Sequence, residues 1–296
     1  MSWSTVLASF DDFIALIRLN VDIYHNARVC GDWVINADAK GHTCFHMVTQ
    51  DNCQLIVPDI GEWRLSEGDL VIFPRDLPHS MMPCAPQTGK QQHLLIPAAQ
   101  DKPGTSLVCG KVYFQHSGSE RLLDALPNVF VVRQNQFSPW LNGLQELILD
   151  ESLRISRQTN VIIDRLCELL FAYALRHYME LHEQKTGIFA LYAHRQINKA
   201  IQAIHDQPAL NWQLQALAEI AAMSRTQFAE TFKRISGWTV MQYLTWWRMQ
   251  LAWDDLRSGL SVARVAENVG YQSEAAFSRA FRKQFTQSAG AVRRGQ

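Results

Sequence analysis

Two stretches near the C-terminus place donors and acceptors suited to DNA at helical spacing. In 217–237 (LAEIAAMSRTQFAETFKRISG) the helix face opposite Phe228 and Phe232 offers Arg225, Thr226, Glu230 and Lys233. In 265–285 (VAENVGYQSEAAFSRAFRKQF) the face opposite Phe277 and Phe281 offers Glu274, Ala275, Ser278, Arg279 and Arg282. Arginine donates bidentately to guanine and glutamate accepts from cytosine N4, so Arg279 and Glu230 are candidate base readers. Lys233, Arg234, Arg282 and Lys283 suit phosphates, which position a protein on the duplex without specifying sequence. The alternative for any single one of them is a solvated surface charge.

A second set of chemistry-bearing residues lies in the first third of the chain. In an alternating strand His42, Cys44 and His46 share one face. If that face points inward, His46 can converge with His79, and two imidazoles can hold Zn, Fe, Ni or Cu, a divalent transition metal. Cys109 or His116 would then supply a third ligand; a bulge at Gly110 would decide which of them points in. Cys30, Cys84 and Cys109 are alternatively thiols that an oxidant could modify. Two plainer readings stand beside these: buried core residues, or a domain that takes an organic effector.

The elements that position the first set repeat. Ala218-Glu219 matches Ala266-Glu267, Ser224 matches Ser273, Phe228 matches Phe277 and Phe232 matches Phe281. The offset is 48 before the turn and 49 after it, because Gln272 is an extra residue. Each half reads as a short apolar helix, a tight turn at Ala222 or Gly270, a serine near an N-cap, and a second helix ending in basic residues. That is a helix-turn-helix read twice, at about 214–236 and 262–285. Phenylalanines at i and i+4 point the same way and anchor each second helix, which frees its opposite face for the major groove. A long helix predicted over about Val240–Leu256 spaces the two readers, which need a separation near ~34 Å on one face of B-DNA.

Around the second set the pattern is β. Strands are expected at Asp32–Asn36, Thr43–Thr49, Gln54–Val57, Leu70–Phe73, Leu94–Ile96 and Leu107–Gln115, punctuated by Gly and Pro, which suggests a small barrel or sandwich. From Ser138 the pattern turns helical. Thr159–Glu183 runs without Gly or Pro and carries a stripe of Ile162, Leu166, Leu169, Tyr173 and Leu181, either a buried intradomain helix or a dimer seam. The fold class expected is α+β in two domains. Residues 1–137 are expected to form a β-barrel domain, with helices at 138–184 that cover it or serve dimerisation. A linker at 185–194 leads to an all-α DNA-binding domain over 195–296.

Bulk properties narrow the classes. The chain has 296 residues, 47% apolar and 19% charged, and no run of 18 apolar residues to span a membrane. Its N-terminus lacks the basic start of a secretory signal, so the six cysteines are expected to be reduced in the cytoplasm. Net charge is zero, yet residues 1–189 hold 15 Lys/Arg against 21 Asp/Glu (net −6) and residues 190–296 hold 13 against 7 (net +6). A basic module joined to an acidic one fits a polyanionic partner.

Over about 197–294 the A-E-x₃–₄-[MY]…S…F-x₃-F framework resembles the AraC/XylS family of transcription regulators. The resemblance implies base-reading sites at Thr226, Ala229 and Glu230, and at Glu274, Ala275, Ala276 and Arg279. The three alanines can touch only thymine methyls or nothing. It also implies double-stranded DNA and RNA polymerase as partners, and the 159–183 stripe adds an expected homodimer. The sequence departs from the family at Ala289-Gly290, where a proline is usual, and fraying of the last helix is expected there. Gly68–His79 is similar to the second cupin motif, G-D-x₄-P-x₄-H, with a weaker echo of the first at Thr43–Val48. The cupin likeness spans about 25–116 and implies an effector-binding domain that senses a small molecule, metal or oxidant, nearest to the oxidant-responsive, reactive-chlorine-regulator-like group. The alternative is a metal-dependent cupin enzyme with a helical regulatory module. No H-x-H with a following Glu is present, so catalysis is not expected.

Overall fold

The computed structural model describes residues 19–37, 42–75, 77–114, 123, 126–134, 139–154, 161–181 and 187–295. The chain divides into two compact units, Leu19–Tyr113 with Leu126–Tyr178, and a second that contains Met179–Gln296.

Among the described residues the N-terminal unit has ten strands: β1 (Leu19–Cys30), β2 (Ile35–Ala37), β3 (Thr43–Gln50), β4 (Asn52–Val57), β5 (Gly61–Ser66), β6 (Leu70–Phe73), β7 (His79–Pro83), β8 (Gln92–Leu94), β9 (Thr105–Phe114) and β10 (Phe130–Val132). They form two hydrogen-bonded sheets, ordered β10-β6-β3-β9-β1-β8 and β2-β7-β4-β5. The single closed barrel expected from sequence is therefore corrected to two sheets. Their inner faces share one core, with Val48, Phe73 and Leu107 from the larger sheet meeting Leu55, Leu65 and Met81 from the smaller. Strand β4 buries alternate residues, whereas β3 and β6, central in the larger sheet, are buried on both faces.

The sequence does not announce β1, β5, β7 or β10, and Ile96 opens a short helix, α1 (Ile96–Ala99), instead of ending a strand. In β1 the apolar alternation stops at a buried arginine. Arg28 donates to Asp51 Oδ2 at 2.6 Å, Lys102 O at 2.8 Å and Ser106 Oγ at 3.1 Å, which offsets its desolvation. The register of β3 on β9 runs unbroken past Phe45↔Gly110, so there is no bulge at Gly110. Glycine stands there because a Cβ would meet the Phe45 ring at 2.6 Å.

Two helices complete this unit, α2 (Pro139–Arg154) and α3 (Val161–Leu181). The buried side of α3 is Ile163, Cys167, Leu170, Phe171 and Ala174, while Ile162 and Leu169 are 55% and 50% exposed. The stripe, which left a buried helix and a dimer seam both open, is exposed at Ile162 and Leu169, and the buried side lies around Ile163 and Leu170.

The C-terminal unit is helical: α4 (Ile188–Ala193), α5 (Arg195–Asp206), α6 (Leu214–Ile220), α7 (Arg225–Ser236), α8 (Val240–Arg257), α9 (Val262–Asn268), α10 (Glu274–Phe285) and α11 (Ala289–Arg293). The linker expected at 185–194 is corrected over its described part. Residues Ile188–Tyr192 are all buried, in a helix that packs on α5 and α7. Five apolar residues in sequence bury too much surface to remain a hinge. Helix α11 is ordered despite lacking proline, because Ser288 accepts from the Ala291 N–H and Ala289 and Val292 are buried.

Candidate nucleic-acid interface and sensor centre

Helices α6 and α7 are joined by residues 221–224, and α9 and α10 by residues 269–273, so the second turn is longer by the one residue that the repeat implied. Ala222 and Gly270 both take positive φ, 51° and 79°. The serines that follow cap the second helices: Ser224 accepts from the Gln227 N–H and Ser273 from the Ala276 N–H. Each cap fixes where its helix begins, and hence which residues lie on its first exposed turn.

Phe228, Phe232, Phe277 and Phe281 are all fully buried. Phe232 stacks edge-on against Tyr243 of α8, and Phe281 lies parallel to Trp253 of the same helix, with ring centroids 5.9 Å apart. Helix α8 is apolar around much of its circumference because it serves two cores, with Tyr243 and Trp247 near its start and Met249, Trp253 and Leu256 further on. On the opposite faces Arg225, Thr226, Glu230 and Lys233 are exposed, as are Glu274, Ala275, Arg279 and Arg282. Ala229, Ala276 and Ser278 are half-buried. Among the described residues no carboxylate pairs with Arg225, Lys233, Arg234, Arg279, Arg282 or Lys283. Their charges are available to an anionic partner.

Sequence reasoning missed the strut between the two helix pairs. Arg248 of α8 donates to Pro208 O at 2.7 Å and Leu210 O at 2.8 Å, and its guanidinium lies 5.9 Å from the Tyr271 ring centroid. Burial lowers its pKa from the usual arginine value. Beside it, a Cβ on Gly270 would come within 2.3 Å of Ala209 O. The 207–210 loop thus holds the turn of the second pair by backbone contact, which no side-chain pattern encodes.

In the N-terminal unit the two predicted histidines meet. His46 Nε2 and His79 Nε2 are 2.7 Å apart, and His79 Nδ1 lies 2.7 Å from Leu77 O. Both rings are buried, and His79 stacks on Phe73 at 4.1 Å between centroids. Burial, reinforced by His79 and His25, holds the His46 imidazole well below its ordinary pKa, so it is neutral and has a free lone pair. Its Nδ1 is buried without a hydrogen-bond partner. The third group is Cys44, two residues along β3; its Sγ and the two imidazoles offer ligand atoms within 4.8 Å of one another. Cys109 pairs with His46 across β3 and β9 but is not in that cluster, and His116 lies outside the described residues. Cys44 was legible as a residue on the His46 face, though not as the ligand to prefer.

These donors fit a transition metal. Two nitrogens bound at about 2.05 Å in tetrahedral geometry lie roughly 3.3 Å apart, so small ring rotations would admit an ion. One soft and two borderline ligands suit Zn or Cu, and three protein ligands leave a fourth position open.

The motif around this centre has structural duties. Asp69 is buried and accepts from Ser66 N–H at 2.9 Å, Gln134 N–H at 3.0 Å and Arg133 at 2.6 Å. Gly68 has φ +85° and packs under Gln134, which leaves no room for a Cβ. Of the predicted redox thiols only Cys84 is exposed; Cys30 and Cys109 are buried. Burial pushes the Cys109 thiol well above its ordinary pKa, which disfavours the thiolate that oxidants attack.

A two-sheet unit of this kind joined to a helical unit with two exposed basic helices defines a sensor attached to a DNA-binding domain. The sequence matches the family described as Cupin over residues 9–180 and that described as Helix-turn-helix domain over 217–295. A helix-turn-helix-type transcriptional regulator of Haemophilus influenzae is 30% identical over 286 residues, covering 93% of this chain and 94% of its own. The RCS-specific HTH-type transcriptional activator RclR of Escherichia coli is 29% identical, covering 93% and 94%. The HTH-type transcriptional regulator AlkR of Acinetobacter baylyi is 28% identical, covering 94% and 95%. The chain belongs to the AraC/XylS-type transcription regulators that carry a cupin domain ahead of the helix-turn-helix domain.

Proposed function

We propose that α7 and α10 are the two reading helices of this regulator. Arg225, Thr226, Glu230 and Arg279 face base edges, and Lys233, Arg234, Arg282 and Lys283 hold phosphates. The observation that carries this reading is the division of each helix into a fully buried phenylalanine pair and an opposite face of exposed polar and basic groups. Footprinting on promoter fragments tests it. Two protected major-groove segments about one helical turn (~34 Å) apart are the expected result. Uniform protection across unrelated sequence would refute it.

The regulator works as a homodimer through the exposed side of α3, where Ile162 and Leu169 sit on one stripe. A dimer engages repeated half-sites and multiplies affinity. RNA polymerase is the downstream partner and the protein acts in the cytoplasm as a transcription regulator; one relative is named a transcriptional activator.

The N-terminal unit is the sensor, and its inorganic centre is Cys44, His46 and His79. A bound metal there would supply an open coordination position or a redox change. The chain's own residues hold the ligands in place: Leu77 O orients the His79 ring and Phe73 stacks on it. With regulators as relatives across more than nine-tenths of the chain, signalling is a better account of this centre than turnover of a substrate.

A further inference from the structure

Away from the histidine centre, a cavity of about 210 Å³ opens between β3, the Gly68 turn and helix α2. Two of its lining residues carry anomalous oxygens. Thr49 is 6% exposed, and its Oγ1 is buried with no hydrogen-bond partner. Asn142, which lines the same cavity from α2, has an Oδ1 that is likewise buried and unpartnered. Leaving a buried polar atom unpaired costs about 1–3 kcal/mol, and native proteins satisfy nearly all of them. Two such atoms on one cavity mark a place where a partner belongs.

Local structure explains how they are held there. The β3–β9 register shifts between Val48 and Gln50, so Thr49 is the bulged residue, and bulges re-aim side chains. Gly68 N donates to Val48 O at 2.8 Å and the Gln145 side chain donates to Gly68 O, which ties the turn to both β3 and α2. The remaining walls set the ligand's character. Glu67 and Glu146 are exposed and line the cavity, no basic side chain does among the described residues, and Met47 and Leu149 add apolar surface. The volume is below the ~300–1,000 Å³ of pockets for drug-sized ligands.

We propose that this cavity binds a small aliphatic organic cation, an ammonium or guanidinium on a short alkyl chain. Its N–H groups donate to Thr49 Oγ1 and Asn142 Oδ1, its charge is balanced by Glu67 and Glu146, and its methylenes lie on Met47 and Leu149. The inference rests on the effector-sensing reading only for the ligand's role. The binding site itself stands on the cavity and is tested without DNA.

The test is isothermal titration calorimetry of the full-length protein with agmatine, and with butylurea as a neutral analogue that keeps the N–H donors. Agmatine is expected to bind saturably at one site per chain. Thr49→Val is expected to weaken binding about tenfold, the equivalent of one hydrogen bond at about 1.4 kcal/mol. Glu146→Gln, on the exposed side of α2, should weaken it several-fold, and butylurea should bind much more weakly than agmatine. Circular dichroism and DNA affinity matching wild type in both variants would confine the loss to the cavity. If Thr49→Val does not fold, Glu146→Gln decides alone. No saturable heat, which would mean the cavity holds only water, overturns the proposal. So does an affinity for agmatine unchanged by either substitution, or butylurea binding as tightly as agmatine.

Discussion

The Nε2 atoms of His46 and His79 lie 2.7 Å apart inside the N-terminal unit, although 33 residues separate them in the chain. At that distance only one proton fits between the two Nε2 atoms, and burial of His46 resists adding another. Replacing that proton with a metal relieves both constraints. Full-length protein incubated with Zn and desalted is therefore expected to retain about one equivalent by elemental analysis. His79→Ala and Cys44→Ser should each lower metal affinity by at least about tenfold. Retention of the ion by both variants would place it elsewhere.

Thiol reactivity should be sharply divided. Cys84 is exposed, whereas Cys53, Cys109 and Cys167 are buried with raised pKa values, that of Cys53 pushed up to about 12. Native protein treated with iodoacetamide at neutral pH is expected to be modified at Cys84 first, as read by peptide mass mapping. The buried thiols should react only after denaturation. Rapid labelling of Cys109 in the native state would contradict this ordering.

The packing of the second helix pair gives two stability predictions. Phe281→Ala should destabilise the C-terminal unit by about 3–5 kcal/mol, the usual cost of emptying a buried aromatic site. Gly270→Ala should also destabilise it, because φ is +79° and the new Cβ would press on Ala209 O. Ala222→Gly, at the equivalent turn of the first pair, should be near neutral, since alanine already tolerates φ +51° there. Denaturant titrations followed by tryptophan fluorescence check all three.

Stability should fall at mildly acid pH. Burial lowers His205 to about 3, and burial, with a contribution from His93, lowers His25 to about 4. An unfolded histidine titrates near 6.5, so below that pH the unfolded chain takes up protons that the folded chain refuses. The stability held at neutral pH is lost as pH falls through about 6.5 and continues to fall toward 4 for His25 and 3 for His205. The slope approaches about 1.4 kcal/mol per pH unit for each group. Denaturation midpoints at several pH values should show the decline. His205→Gln should flatten it, because a glutamine in the stack with Trp247 does not titrate. An unchanged slope would assign the effect to other groups.

How much of this was legible in the sequence depended on whether burial left a periodic trace. Helices α7 and α10 did, because Phe228 with Phe232 and Phe277 with Phe281 recur at helical spacing in two copies. Strand β1 did not, because Arg28 is buried by partners that come from Asp51, Lys102 and Ser106, far along the chain. The meeting of His46 with His79 was legible from two motif fragments. The choice of Cys44 over Cys109 required the register of β3, and helix α4 stayed hidden because its six residues are too few to show a period. Arg248 donates to the Pro208 and Leu210 backbone carbonyls, which no residue pattern specifies.

The most direct test of DNA reading is the affinity of wild type and Arg279→Ala for a selected site and for scrambled duplex, measured across a salt series. The selected site should lose about 1–3 kcal/mol, or about 5- to 150-fold, on substitution, with relaxed preference at one base pair and little change on scrambled DNA. Equal losses on both duplexes, or wild-type protein that does not distinguish them, would contradict the assignment of α10 as a reading helix.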